Sequence, residues 1–208
     1  MSDFELNPFY ELIINDLVNR KYSVVDTFFS PKEIELLRAN LKLKRELQSF
    51  KKAAIGNNDG QQIVEEIRGD SILWLDEEHP DEVEQMYFDR VNDFIQYMNR
   101  TCYLGLQGGE FHYACYPKGT FYKRHLDVFH TDTRRTLSMV LYLNDEDWTP
   151  AYGGQLALFL KNEQGVEYEE IVHALPGRLV IFDSKIIEHE VKLVNQPRYS
   201  ITGWIKTR

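Results

Sequence analysis

Residues 111–127 read FHYACYPKGTFYKRHLD: two short aromatic-rich runs, Phe111 to Tyr116 and Phe121 to Leu126, on either side of Pro117-Lys118-Gly119. Aromatic residues fit a pleated, half-buried surface, and a Pro-x-Gly break between two such runs is turn chemistry. The segment is therefore expected to form strand, turn and strand. The pattern continues downstream. Arg135 to Leu143, Gln155 to Leu160, Glu170 to Ala174, Arg178 to Phe182 and Arg198 to Lys206 are further candidate strands, separated by turn signals at Gly153-Gly154, Asn162 to Gly165 and Pro176-Gly177. Many short strands at close spacing point to a sandwich or barrel.

Upstream the periodicity is helical. Phe9, Leu12, Ile13, Leu17 and Val18 recur at helical spacing, and Ser30-Pro31-Lys32-Glu33 is a capping box with proline in the first turn, followed by Leu36, Leu37, Leu41 and Leu47. Asp81 to Met98 reads as a second long helix with Val83, Met86, Tyr87, Val91, Phe94 and Ile95 on its buried side. Between them, Ala54 to Gln62 is rich in Gly, Asn and Asp and reads as a loop, and Ile67 to Leu75 as a strand. The expected fold class is α+β, mainly β: a double-stranded β-helix (a cupin-like jelly roll) over 110–206, backed by N-terminal helices. Residues 1–100 supply the helical support and the strands after the loop, and 1–208 form a single domain.

The candidate strand Phe121 to Leu126 ends in His125-Leu126-Asp127. Residues at i and i+2 of a strand share a face, so one imidazole and one carboxylate can bind one metal. A second histidine from a distant strand would complete two histidines and a carboxylate, which leaves the open positions a non-haem Fe(II) oxygenase needs. His189, in Glu188-His189-Glu190-Val191, stands about sixty residues on, and Arg198 follows it by nine. An arginine on the next strand can grip a carboxylate with two parallel hydrogen bonds, as the far end of a diacid would require. His112 and His173 have no such partner pattern and are expected to be structural; His79 and His130 fall in expected loops.

The composition excludes several classes. Hydrophobic residues make up 43% and aromatics 13%, so the chain is not disordered. No stretch approaches the roughly 18 apolar residues of a membrane span. Asp3 and Glu5 stand where a secretory leader carries positive charge, so a soluble cytoplasmic protein with no membrane partner is expected. A net charge of −9 argues against a nucleic-acid partner. The basic cluster Lys42, Lys44, Arg45, Lys51 and Lys52, with Glu46 inside it, reads as a solvated helix face. Cys102 and Cys115 form no C-x-x-C pair and are expected as buried thiols.

Further ordered motifs sharpen the picture: Ala114-Cys115-Tyr116-Pro117, Tyr122-x-Arg124-His125-x-Asp127, Leu141-Tyr142-Leu143-Asn144 with Trp148 and Gly153-Gly154, His189-Glu190-Val191, Arg198-Tyr199-x-Ile201-Thr202-x-Trp204, and upstream Ile67-Arg68-Gly69-Asp70 with Trp74. Over roughly residues 65–206 the chain resembles the Egl-nine type prolyl 4-hydroxylases. This branch of the Fe(II)/2-oxoglutarate-dependent dioxygenases includes the animal oxygen-sensing enzymes and their bacterial relatives.

The resemblance implies Fe(II) on His125, Asp127 and His189, 2-oxoglutarate and O2 as co-substrates, and ascorbate as reductant. It implies that Arg198 and Tyr142 hold the distal carboxylate of 2-oxoglutarate, that Tyr116 reaches its metal-side end, that Thr202 stands near its carboxylates, and that Leu156 and Val191 are apolar wall. Trp74 and Trp204 would line the substrate entrance, Arg68 would touch substrate, and Asp70 would pair with Arg135 to tie the strand after the substrate loop to the core. The partner implied is a protein carrying a target proline, with a translation factor as the class of substrate that the bacterial relatives suggest. The short insert between Asp127 and Arg135, and the end of the chain soon after the last strand, imply recognition unlike that of the animal enzymes. Two other readings stay open: the same chemistry on a small molecule such as a free amino acid, and a non-catalytic jelly-roll binding module.

Overall fold

The computed structural model describes residues 5–47, 50–53, 67–128 and 133–208; the candidate loop at 54–62 and His130 lie outside the described residues. Three helices form one layer. In α1 (Pro8–Arg20) the Asn7 side chain accepts the N–H groups of Phe9 and Tyr10 at 3.0 and 3.3 Å, and Pro8 sits where a missing N–H does no harm. Before α2 (Pro31–Leu47) the expected box is formed: Ser30 Oγ accepts from Glu33 N–H at 3.3 Å, and the Glu33 carboxylate accepts from Ser30 N–H at 2.6 Å. Asp81 and Glu84 build the same device at the start of α3 (Glu82–Cys102).

The buried faces differ in detail from the periodic reading. In α1 the buried residues are Tyr10 and Ile13, while Leu12 and Val18 are exposed. Each lies one residue, about 100° of rotation, from a neighbour that packs inward. In α2, Ile34, Leu37 and Leu41 are buried, and Leu36 and Leu47 face outward. In α3, Tyr87, Val91, Phe94 and Ile95 are buried as expected and are joined by Phe88, Tyr97 and Met98. Val83 and Met86 are only partly covered.

Eleven strands among the described residues make two antiparallel sheets. The larger runs in the order β1 (Tyr22–Val25), β9 (Leu179–Asp183), β6 (Arg135–Tyr142), β11 (Arg198–Thr207), β4 (Leu106–Tyr116), β3 (Ser71–Trp74), β2 (Lys51–Lys52). The smaller runs β5 (Tyr122–His125), β10 (Glu188–Val191), β7 (Leu156–Lys161), β8 (Glu167–Val172). Together they form the jelly roll, with the helices against the outer face of the larger sheet. β1, β2 and β10 were not among the expected strands; each has four residues or fewer, too short for alternation to show. β8 starts at Glu167 rather than Glu170. Its run of glutamates hid it, but an edge strand tolerates charge. Lys51 and Lys52, expected on a helix, lie on the edge strand β2.

The expected strand at Ile67 to Leu75 is two pieces. Ile67 and Gly69 hydrogen-bond to the smaller sheet, through Lys123 N–H at 2.8 Å and Phe121 C=O at 3.0 Å, and then Ser71–Trp74 pairs with β4 in the larger one. The chain thus changes sheets at Gly69 and Asp70. A Cβ at Gly69 would stand 2.7 Å from Thr120 Cβ, so the close crossing needs glycine.

Alternation gives the larger sheet two different faces. Phe111, Tyr113, Cys115, Leu137, Met139, Leu141, Ile201 and Ile205 belong to the core shared with the helices. Ala114, Tyr116, Val140 and Tyr142 turn the other way, into a second core with Leu156, Leu158, Val172 and Val191 of the smaller sheet. The candidate chemistry lies on that inner side.

Candidate active site

β5 and β10 are neighbours in the smaller sheet, and His125 and His189 are direct cross-strand partners. Asp127 lies in the bend just after β5, two residues from His125 and on the same side. The ligand atoms of the three residues lie within 4.8 Å of one another. His125 Nε2 is 3.6 Å from Asp127 Oδ1, and His189 Nε2 is 3.4 Å from Asp127 Oδ2. His125 Nδ1 is 2.7 Å from the Lys123 carbonyl oxygen, and His189 Nδ1 is 3.3 Å from that of Ile187. A carbonyl only accepts, so each Nδ1 carries the proton and each Nε2 points a lone pair at the shared centre. The Tyr122 ring stacks on His125 at 3.6 Å, and Phe182 meets His189 edge-on at 4.7 Å, which fixes both imidazole planes.

Burial alone would raise the Asp127 carboxyl, but the two imidazoles and the Ser138 hydroxyl hold it well below the usual range. Burial pushes His189 down to about 4, against the pull of Asp127. At neutral pH Asp127 is therefore a carboxylate beside a neutral His189, and with His125 they make up the two-histidine, one-carboxylate donor set that suits a divalent transition metal.

Between the sheets lies a group of buried polar side chains that is incompletely paired. Arg198, opposite Tyr116 in register, is 1% exposed. Its guanidinium lies 4.9 Å from the Tyr116 ring centre and 4.8 Å from that of Tyr142. Its hydrogen bond to the Ser200 hydroxyl is long, at 3.4 Å, and no carboxylate among the described residues pairs with it; among those residues its Nε and the Tyr142 hydroxyl make no close hydrogen bond, although the guanidinium stands near enough to Tyr142 to act on its hydroxyl electrostatically. Ser200 Oγ is 3.2 Å from Thr202 Oγ1, which extends the polar row along β11. Buried polar groups are normally satisfied, so this unpaired set fits a bound carboxylate, as 2-oxoglutarate would provide. Leu156 and Val191 are cross-strand partners and form buried apolar wall. Gly154, read from the sequence only as a turn, has φ +66°, and a Cβ there would lie 2.7 Å from Arg198 Cδ. The missing side chain makes room for the arginine.

Trp74 is half-exposed and lies 6.3 Å from Trp204, which is buried. His112 packs against both rings, at 4.9 and 5.6 Å, with an unpartnered Nδ1. It is buried on the same side of β4 as Ala114 and Tyr116. The expected Asp70–Arg135 pair is not formed. Asp70 is gripped by Arg68 at 2.8 and 2.6 Å, the nearer cation across the bend. Arg135 binds Glu110 at 2.9 and 2.7 Å, stacks 3.5 Å over Trp204, and donates to the Asp127 carbonyl at 3.0 Å. Arg68 lies 4.3 Å over the Tyr122 ring. Sequence reasoning missed Ser138, whose hydroxyl meets Asp127, and Ser184 behind it; nothing local in the sequence distinguishes either serine.

The other expectations fall outside the site. His79 is an exposed turn residue beside Asp76, and His173 is partly buried with no partner for Nδ1. Lys42 pairs with Asp145, and Lys44 with Asp81 and Glu84, so part of the basic cluster ties α2 to its neighbours. Both cysteines are free, Cys115 buried and Cys102 partly so. Among the described residues no helix is long and apolar enough to cross a membrane.

Residues 111–206 match the family model of the 2OG-Fe(II) oxygenase superfamily. Over 97% of its length the chain is 35% identical to a prolyl-4-hydroxylase from Pseudomonas putida, covering 100% of that chain with a TM-score of 0.83. It is 27% identical to a Trichoplax adhaerens prolyl hydroxylase solved with a peptide fragment of the hypoxia inducible factor oxygen degradation domain, over 95% of this chain and 89% of that one, with a TM-score of 0.82. A Phytophthora capsici prolyl 4-hydroxylase shares the fold at 18% identity, over 100% of this chain and 68% of that one, with a TM-score of 0.68.

Proposed function

The chain belongs to the 2OG-Fe(II) oxygenase superfamily, and we propose that within it the chain hydroxylates a proline of a protein substrate at C4. The reaction consumes O2 and 2-oxoglutarate and yields hydroxyproline, succinate and CO2. The observation that carries this reading is a buried, unpaired Arg198 in the same space as the convergent His125, Asp127 and His189. The full-length similarity to the Pseudomonas putida prolyl-4-hydroxylase supports proline as the target.

In this reading His125, Asp127 and His189 hold Fe(II). Arg198 and Tyr142 seat the distal carboxylate of 2-oxoglutarate, Tyr116 and Thr202 face its other end, and Leu156 and Val191 keep that end of the cavity dry. Bound there, iron and 2-oxoglutarate supply the activation of O2 that lets one oxygen atom enter an unactivated C–H bond. Trp74 and Trp204 offer ring faces to a prolyl ring, with Arg68, Asp70 and Arg135 around them at the entrance. A translation factor is the proposed class of substrate, ascorbate the accessory reductant, and the cytoplasm the compartment, where two free thiols persist.

The test is succinate formation with and without candidate polypeptides, with mass spectrometry for one added oxygen on proline. Stimulation by a proline-containing protein is expected, with loss of iron-dependent turnover in His125→Ala. Full turnover on a free amino acid with no protein present would replace the protein substrate by a small molecule. Normal turnover by His125→Ala would overturn the site.

A further inference from the structure

Asp127 is the one candidate ligand outside a regular strand, and what holds it is not a neighbour in sequence. β6 grips it at two points. Arg135 Nη1 donates to its backbone carbonyl at 3.0 Å, and Ser138 Oγ donates to its side-chain Oδ2 at 2.7 Å. Arg135 is itself anchored by Glu110 and by the face of Trp204. Ser138 lies 2.8 Å from Ser184 Oγ, in the turn after β9, and both serines are buried, at 1% and 0% exposure. A hydroxyl has one proton. Ser138 commits its proton to the carboxylate, so it must accept at the second contact, and Ser184 donates. The direction of the chain is thereby set: Ser184 to Ser138 to Asp127 Oδ2.

The consequence is an asymmetric carboxylate. Oδ2 accepts a buried hydroxyl, whereas Oδ1 faces the His125 imidazole, 3.6 Å from its Nε2. We infer that Ser138 and Ser184 are positioning residues that fix the rotation of the Asp127 carboxylate, so that its orientation toward the two imidazoles is set before a metal would bind. This rests on the reading of His125, Asp127 and His189 as the metal site. Without the relay, the Asp127 carboxylate can rotate about its last bond and lose this fixed orientation. Partners behind a metal ligand commonly contribute 10–100-fold in affinity.

The experiment is titration of the protein with Mn(II) alone, followed by loss of the free-ion EPR signal, on wild type, Ser138→Ala, Ser138→Thr and Ser184→Ala, each with a melting curve. Wild type is expected to bind one ion. Ser138→Ala should weaken binding about 10–100-fold. Ser138→Thr, which keeps the hydroxyl, should restore it to within about threefold of wild type, and Ser184→Ala should fall between the two. The bound-ion spectrum of Ser138→Ala should also differ from wild type, which a general loosening of the fold would not produce. Should Ser138→Ala fail to fold, Ser184→Ala decides, because it removes the outer hydroxyl and leaves Ser138 in place; an unchanged binding constant there refutes the relay. Wild-type affinity in a folded Ser138→Ala refutes it while leaving the metal site standing. Absence of binding by wild type removes the site and the relay together.

Discussion

Replacing Arg198 by methionine is expected to stabilise the ligand-free protein and to destroy its affinity for 2-oxoglutarate. A charge taken out of water costs several kcal/mol even after relaxation. Arg198 recovers part of this from the ring faces of Tyr116 and Tyr142, at 4.9 and 4.8 Å, each worth about 1–2 kcal/mol when dry. Its hydrogen bond to Ser200 is long, at 3.4 Å, and Nε has no partner. A deficit of about 1–3 kcal/mol remains. Methionine keeps most of the aliphatic volume and removes the charge, so the Tm of the free protein should rise by about 2–4 °C per kcal/mol for a chain of this size. The same change deletes two charge-assisted hydrogen bonds to the diacid, about 1.5–3 kcal/mol each, and so about two to four orders of magnitude in affinity. Calorimetric melting with Mn(II), with and without 2-oxoglutarate, reads both effects, because a ligand that binds only the folded state raises Tm with concentration. Wild type should shift and Arg198→Met should not. A variant that melts lower without ligand, or that still shifts with 2-oxoglutarate, would mean that the arginine is satisfied from within the protein and the anion site is misread.

Three more outcomes follow from the same geometry. Gly154→Ala forces a side chain onto a left-handed backbone and against Arg198 Cδ, so a loss of about 1–3 kcal/mol in stability and a weaker 2-oxoglutarate-induced Tm shift are expected; unchanged values would show that the turn can relax. Burial holds His112 down to about 4, with Asp70 and Asp127 pulling up and Arg68 and Arg135 pushing down. The unfolded chain therefore takes up a proton between about pH 6.5 and 4 that the folded chain does not, and stability is lost as pH falls through that window, by up to about 3 kcal/mol. His112→Gln should flatten that slope in denaturant titrations of metal-free protein; identical slopes would contradict it. Trp74→Ala, at a half-exposed position, should leave Tm nearly unchanged and raise KM for the protein substrate about 5–30-fold, as loss of about 1–2 kcal/mol of aromatic contact implies; an unaltered KM would remove Trp74 from the entrance.

Much of the site could be read from the chain because strand periodicity carries it. Arg198, Ser200 and Thr202 are spaced by two, and in a strand that spacing already means a common side; His125 and Asp127 have the same spacing and share a side although the strand ends at His125. The capping box of α2 was equally legible, being local hydrogen-bond chemistry, whereas the matching box of Asp81 and Glu84 at the start of α3 emerged only from the structure. What escaped depends on register between distant segments. Nothing around Ser138 signals that its hydroxyl will meet a carboxylate eleven residues earlier, or that Ser184 will stand behind it. The Asp70–Arg135 pairing failed for a related reason. A buried carboxylate takes the cation that folding brings first within reach, and Arg68, two residues away across the bend, outcompetes one on another strand. The exposed Leu12, Val18 and Leu36 show the limit of helical periodicity, which finds a face but not its edges.

The larger sheet works as a partition one strand thick. On β6, Leu137, Met139 and Leu141 are pressed against the helices, while Ser138, Val140 and Tyr142 look into the chamber where the chemistry is placed. Neighbouring letters of one strand therefore answer to different selective pressures. Changes at the odd positions alter how long the molecule survives, and changes at the even ones alter what it converts. The helical layer is in this sense insulated from the reaction: its surface can drift, or acquire new attachments, while the chamber behind the wall keeps its shape.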